Sequence, residues 1–117
     1  MRLLVQVLAD VETHGDLGRV VNAMEVVKEA KQAGDDVVLS FDGAGTRWVG
    51  TLDDPEHPRH ALWADVKDRV AGACSYCATA FGASEAIEGA GVALVDAFEG
   101  HPSVRGYLAD GYRVLTY

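Results

Sequence analysis

Leu3-Leu4-Val5-Gln6-Val7-Leu8 opens the chain as an almost unbroken apolar run. Such a run reads as a strand buried on both faces, the kind found in parallel sheets. Polar residues follow at once: Asp10, Glu12, Thr13, His14, Gly15 and Asp16. Asp16 is placed to cap a helix. Apolar residues then recur at Leu17, Val20, Val21, Met24, Val27 and Ala30, one face of a helix that Gly34 ends. Val37-Val38-Leu39-Ser40-Phe41 repeats the strand pattern and runs into the turn-rich Asp42-Gly43-Ala44-Gly45-Thr46.

Beyond the break at Asp53-Asp54-Pro55-Glu56-His57-Pro58, the spacing of Leu62, Val66 and Val70 predicts a helix from about Arg59 to Arg69. Val70-Ala71-Gly72-Ala73-Cys74 reads as a short strand of small residues, with a helix starting near Tyr76. A short helix at Ser84–Glu88 precedes a fourth strand, Val92–Val95. His101-Pro102-Ser103 precedes a helix through about Ala109, and the fifth strand is Tyr112–Tyr117. Strands alternating with helices predict one α/β domain over residues 1–117, a mostly parallel five-stranded sheet with helices on both faces in a flavodoxin-like three-layer sandwich. Sites in such sheets lie beyond the C-terminal strand ends. The loops after Leu8, Phe41 and Ala73 therefore share one rim. That rim gathers Asp10, His14, Asp42, Gly43, Gly45, Thr46 and Arg47, as candidate pocket residues, around Cys74 and Cys77.

Composition narrows the function classes. The 117 residues are 49% hydrophobic, enough for a packed core, and carry a formal charge of −8. The cations are scattered, so nucleic-acid binding, which needs clustered Lys and Arg on phosphates, is not expected. No apolar run reaches the roughly 18 residues of a membrane span. MRLLVQVLAD lacks a small-residue cleavage site and reads as the first strand, so a cytoplasmic protein with reduced thiols is expected.

The two cysteines stand in Ala73-Cys74-Ser75-Tyr76-Cys77-Ala78-Thr79-Ala80-Phe81-Gly82. A Cys-x-x-Cys in such a chain points to thiol chemistry or metal binding more than to a structural staple. At a helix start, the dipole and free N–H groups are expected to lower the thiol pKa of Cys74 and favour its thiolate. Cys77, about one turn on, is placed to resolve an oxidised or sulfur-loaded Cys74. His14 and His101 are alternative general bases. A zinc site needs about four ligands. The count of two cysteines with two of His14, His57, His60 and His101 meets that number, but no second Cys-x-x-Cys and no His-x3-5-His pair accompanies it. No metal is therefore expected. The Asp42–Thr46 loop lacks the Lys-Ser/Thr of a P-loop and the third glycine of a dinucleotide fingerprint, so no organic cofactor is expected either.

The cysteine segment, the opening strand, the helix ending Lys31-Gln32-Ala33-Gly34 and the Phe41–Gly45 loop together resemble the DsrE/DsrF-like family of sulfur-relay proteins, the TusD/YchN type. The resemblance runs nearly the full length. Phe81 stands where members often carry Arg. The resemblance implies a flavodoxin-like sheet, assembly into trimers or hexamers, and a sulfur-carrying cysteine, which by position is Cys74. The function expected is a sulfur carrier or sulfurtransferase-type subunit that exchanges persulfide sulfur with donor and acceptor proteins. The alternatives are an oligomeric binding or assembly module with structural cysteines, and a small-ligand protein with its pocket at the sheet rim.

Overall fold

Five short strands pair in parallel, and the direction in which the chain visits them dictates where everything else lies. The computed structural model describes residues 1–117. The strands are β1 (Arg2–Val7), β2 (Asp36–Phe41), β3 (Val70–Cys74), β4 (Leu94–Val95) and β5 (Arg113–Thr116), and they lie side by side in the order β4-β3-β2-β1-β5. The helices are α1 (His14–Gln32), α2 (Trp48–Asp53), α3 (His60–Val66), α4 (Ser75–Ala80), α5 (Ser84–Gly89) and α6 (Val104–Ala109). From β1 to β4 each connection steps the same way across the sheet. Right-handed crossovers then place the intervening helices on one face. Accordingly α1 packs on α3, α3 on α2, α2 on α5 and α5 on α4. The connection from β4 to β5 steps back across the sheet and carries α6 over the other face. The result is the expected three-layer α/β sandwich, with a fully parallel sheet. No helix is long and apolar enough to cross a membrane.

The helical face holds the main core. Leu3, Val5 and Val7 of β1 stand level with Val37, Leu39 and Phe41 of β2. They join Val20, Met24 and Val27 of α1, with Trp48, Leu52, Trp63 and Ile87, in one buried cluster. Alternation sends Leu4, Gln6, Val38 and Ser40 to the opposite face. There the two polar side chains, Gln6 and Ser40, are also buried.

Between β2 and β3 the pairing slips by one residue: Leu39 pairs Val70, but Ser40 pairs Gly72. Ala71 is the extra residue of a bulge, a device that re-aims side chains. The slip sets Ala73 beside Phe41 on the core side. One step on, Cys74 comes level with Asp42 on the side of Gln6 and Ser40.

Several boundaries differ from the sequence reading. β1 ends at Val7, and Leu8 is exposed on the rim. Asp16 is not the α1 cap. Thr13 is, and its hydroxyl accepts from the Asp16 N–H while the Asp16 carboxylate accepts from the Thr13 N–H. Gly43–Arg47 is a 3-10 turn rather than a loop, and α2 follows it directly. The helix predicted over 59–69 is α3 with a short 3-10 turn, Lys67–Arg69. β4 and β5 are shorter than predicted because only Leu94–Val95 and Arg113–Thr116 find neighbours in register.

Two local devices make predictions. The Asp53 carboxylate accepts from the Trp63 indole N–H and the Lys67 ammonium, both at 2.9 Å. Chiefly the indole, then the ammonium, hold its pKa below the usual carboxylate range. Its folded pKa is thus below its unfolded one, so its stabilisation is present above about pH 4 and fades as pH falls further. Asp53→Asn should cost about 1–2 kcal/mol near pH 7 in denaturant unfolding, and this difference should shrink on acidification. An unchanging difference would count against the carboxylate's role.

The second device follows β4. In the turn Phe98-Glu99-Gly100-His101 the outer residues exchange N–H···O bonds of 2.9 and 2.8 Å. Both central residues have positive φ, 49° at Glu99 and 84° at Gly100. That conformation favours Asn-Gly and strains a glutamate. Glu99→Asn should raise the unfolding free energy by about 0.5–1 kcal/mol, whereas Gly100→Ala should lower it, since a Cβ there would lie 3.1 Å from Cβ of Tyr76. Thermal melts of both variants give the two signs.

Candidate functional site

The direction in which the chain steps across the sheet reverses after β4. The loop after β3 turns toward the helical face and the loop after β4 toward the other. A crevice opens at such a switch point, and ligands in parallel sheets bind there. Four chemically active side chains meet in it: Asp42 from the end of β2, Cys74 from the end of β3, Cys77 from the first turn of α4, and His101 from the turn after β4. Their ligand atoms all lie within 4.8 Å of one another.

The thiol of Cys74 is the centre. Its Sγ lies 3.2 Å from Nδ1 of His101, accepts from the Cys77 backbone N–H at 3.2 Å, and points its S–H at the Gly100 carbonyl, 3.7 Å away. Cys77 Sγ lies 3.7 Å from the same Nδ1 and donates to Asp42 Oδ1 at 3.3 Å. The Asp42 carboxylate is fixed from behind. Its Oδ1 accepts from the Gly43 N–H at 3.0 Å and its Oδ2 from the Gln6 amide at 2.9 Å. The Gln6 amide oxygen accepts in turn from the Thr116 hydroxyl at 3.4 Å. The Tyr76 ring lies 5.0 Å from the His101 ring, centroid to centroid, and tilted 36° to it. Both cysteines are free and buried, Cys74 fully.

Burial reverses the sequence expectation for the Cys74 thiol. The site was expected to lower its pKa. Instead, burial first, then the Cys77 thiol and the Asp42 charge, push it up to about 12, and the Cys77 N–H does not offset them. No lysine or arginine reaches the cluster, so nothing there supplies a fixed positive charge.

Of the residues expected around the cysteines, only Asp42 touches a thiol. Gly43 contributes its N–H to Asp42. Gly45 packs the 3-10 turn onto the end of β1, where a Cβ would stand 2.2 Å from the Val7 carbonyl oxygen. Thr46 is fully buried with its hydroxyl donated to the Gly43 carbonyl. Arg47 pairs with Asp10 and Glu12 at 2.8 and 2.7 Å. It also lines a shallow cleft of 540 Å³ with Thr51, His57 and Phe81. His14 is exposed at the start of α1 and lines a neighbouring cleft with Trp48 and His57. The four cluster members include neither His14 nor Arg47. The sequence offered His101 as one of two alternative bases and as one of four histidines that could be counted toward a metal site. Its place beside the thiols comes from the β4 turn, which has no local signature.

No family model matches the chain, and no curated protein matches it. Among solved structures it is similar to a conserved protein of unknown function, BT1422 from Bacteroides thetaiotaomicron. The two share 14% identity over 97% of this chain and 94% of that one, with a TM-score of 0.65. At that identity the likeness shows a common fold and no more.

Proposed function

We propose that the chain is a thiol carrier that takes sulfane sulfur onto Cys74, with His101 as proton acceptor and Cys77 as resolving thiol. The observation that carries this reading is the 3.2 Å approach of His101 Nδ1 to Cys74 Sγ, with Cys77 Sγ 3.7 Å from the same nitrogen. A buried thiol with a raised pKa needs a proton acceptor in contact before it can act as a nucleophile. The resemblance of the cysteine segment to DsrE-like sulfur-relay proteins points the same way. It also implies trimeric or hexameric assembly and protein partners. Tyr76 and Phe98, 62% and 63% exposed beside the turn that covers Cys74, fit a partner's docking there.

The chemistry balances as follows. Cys74 sulfur attacks the outer sulfur of a donor persulfide, R–S–SH, as its proton passes to His101. The donor S–S bond breaks, R–S⁻ leaves and takes that proton, and Cys74 holds –S–SH. An acceptor thiolate removes the outer sulfur by the same exchange and restores Cys74. If Cys77 attacks the inner sulfur instead, a Cys74–Cys77 disulfide forms and hydrosulfide leaves. Two thiols are then oxidised by two electrons as the sulfane sulfur is reduced, and an external dithiol resets the pair. Because Cys74 is fully buried, uptake requires a local opening that leaves His101 beside the thiol.

The full burial of Cys74 favours one competing reading, an assembly module with structural thiols. One experiment separates them: intact mass of the metal-free protein after brief exposure to a low-molecular-weight persulfide. The wild type should gain one sulfur atom and Cys74→Ser none. Cys77→Ser should hold the added sulfur longer, and His101→Gln should load about a hundredfold more slowly. No gain in the folded wild type, with both thiols labelling only after unfolding, would leave the assembly module.

A further inference from the structure

We infer that Asp42, Cys74, Cys77 and His101 form a binding site for one zinc-class divalent cation, in a closed tetrahedral set of four protein ligands. The inference goes beyond the thiol relay and does not depend on it.

Three observations carry it. The first is distance. Zinc bound to thiolate, imidazole and carboxylate at its usual bond lengths makes a tetrahedron whose sulfur–nitrogen and sulfur–oxygen edges are about 3.6 Å. Three of the four corresponding separations here are 3.2 Å for Cys74 to His101, 3.7 Å for Cys77 to His101 and 3.3 Å for Cys77 to Asp42, and the fourth, Cys74 to Asp42, lies within 4.8 Å. The second is charge. Two buried thiols face a carboxylate with no cation among them. A divalent ion would release both thiol protons on binding, hold both sulfurs as thiolates and offset the two negative charges so formed. The third is the supporting shell. A ligating carboxylate needs its second oxygen and its orientation fixed. Here the buried Gln6 amide does this for Asp42 Oδ2, and the Thr116 hydroxyl in turn fixes Gln6. The Cys77 N–H points at Cys74 Sγ, where it would steady a thiolate.

The donor set selects the ion. Two sulfurs, one imidazole nitrogen and one carboxylate oxygen suit zinc, whereas magnesium and calcium demand oxygen ligands. With four protein ligands the site leaves no open coordination position, so the metal would be a clamp rather than a Lewis acid. It would tie together β2, β3, α4 and the turn after β4. It would also occupy both sulfurs, so that metal-bound and sulfur-loaded forms exclude one another.

The test is titration of the reduced wild-type protein with cobalt(II), then zinc. The expected result is one cobalt per chain, with a thiolate-to-cobalt charge-transfer band and the visible bands of tetrahedral cobalt, lost on adding one equivalent of zinc. Asp42→Asn and His101→Gln keep both thiols and should each weaken cobalt binding by more than Gln6→Ala, which should weaken it by about 10–100-fold. Should those variants not fold, alkylation of the wild type decides: one equivalent of zinc should slow labelling of both cysteines at least about tenfold. Absence of the charge-transfer band, or equal labelling of both cysteines with and without zinc, overturns the site. Because sulfur uptake is read on metal-free protein and metal binding without any persulfide, failure of either leaves the other result standing.

Discussion

The handedness of parallel crossovers governs this molecule. Three successive connections step one way across the sheet and the fourth steps back. Because each must be right-handed, the first three stack their helices on one face and the fourth crosses the other. The loops after β3 and β4 must therefore part, and the gap between them is where the cysteines and the histidine meet. The site is a product of topology before it is a product of any side chain.

What fills the gap is set by the second face of the sheet. On the helical face every inward position is apolar. On the other, Gln6, Ser40, Asp42, Cys74 and Thr116 lie along neighbouring strands, and the carboxylate, amide and hydroxyl among them are hydrogen-bonded in series. No buried side-chain nitrogen or oxygen lacks a partner. The series runs from half-buried Asp42 through buried Gln6 to exposed Thr116, and the buried amide is tolerated because its hydrogen bonds replace its lost water contacts. It also fixes the Asp42 carboxylate relative to Cys77.

Much of the fold was legible because the long elements carry their own periodicity. β1, β2 and α1 read directly from Leu3–Val7, Val37–Phe41 and the apolar face through Ala30. α2 did not, since Trp48, Val49 and Leu52 follow a glycine-rich stretch that reads as loop, and only tertiary burial reveals them as helix. The site was half legible. Cys74 at a strand end and Cys77 one turn into a helix follow from local pattern. The choice of Asp42 over Asp10, and of His101 over His14, does not, because it depends on strand order and on a bulge. The sign of the Cys74 shift was missed for a related reason. A helix N-terminus argues for a thiolate only where water or a cation helps, and here burial prevails over the N–H groups.

The bulge at Ala71 turns residue count into chemistry. Because one residue of β3 is unpaired, the strand can keep its neighbours whichever way its phase is set, and only the tally of residues between Val70 and Cys74 turns the cysteine toward Asp42. An alignment of distant relatives that lets a one-residue gap fall within those five residues will match Cys74 to a core position, and will hide a shared site even where the fold has been kept.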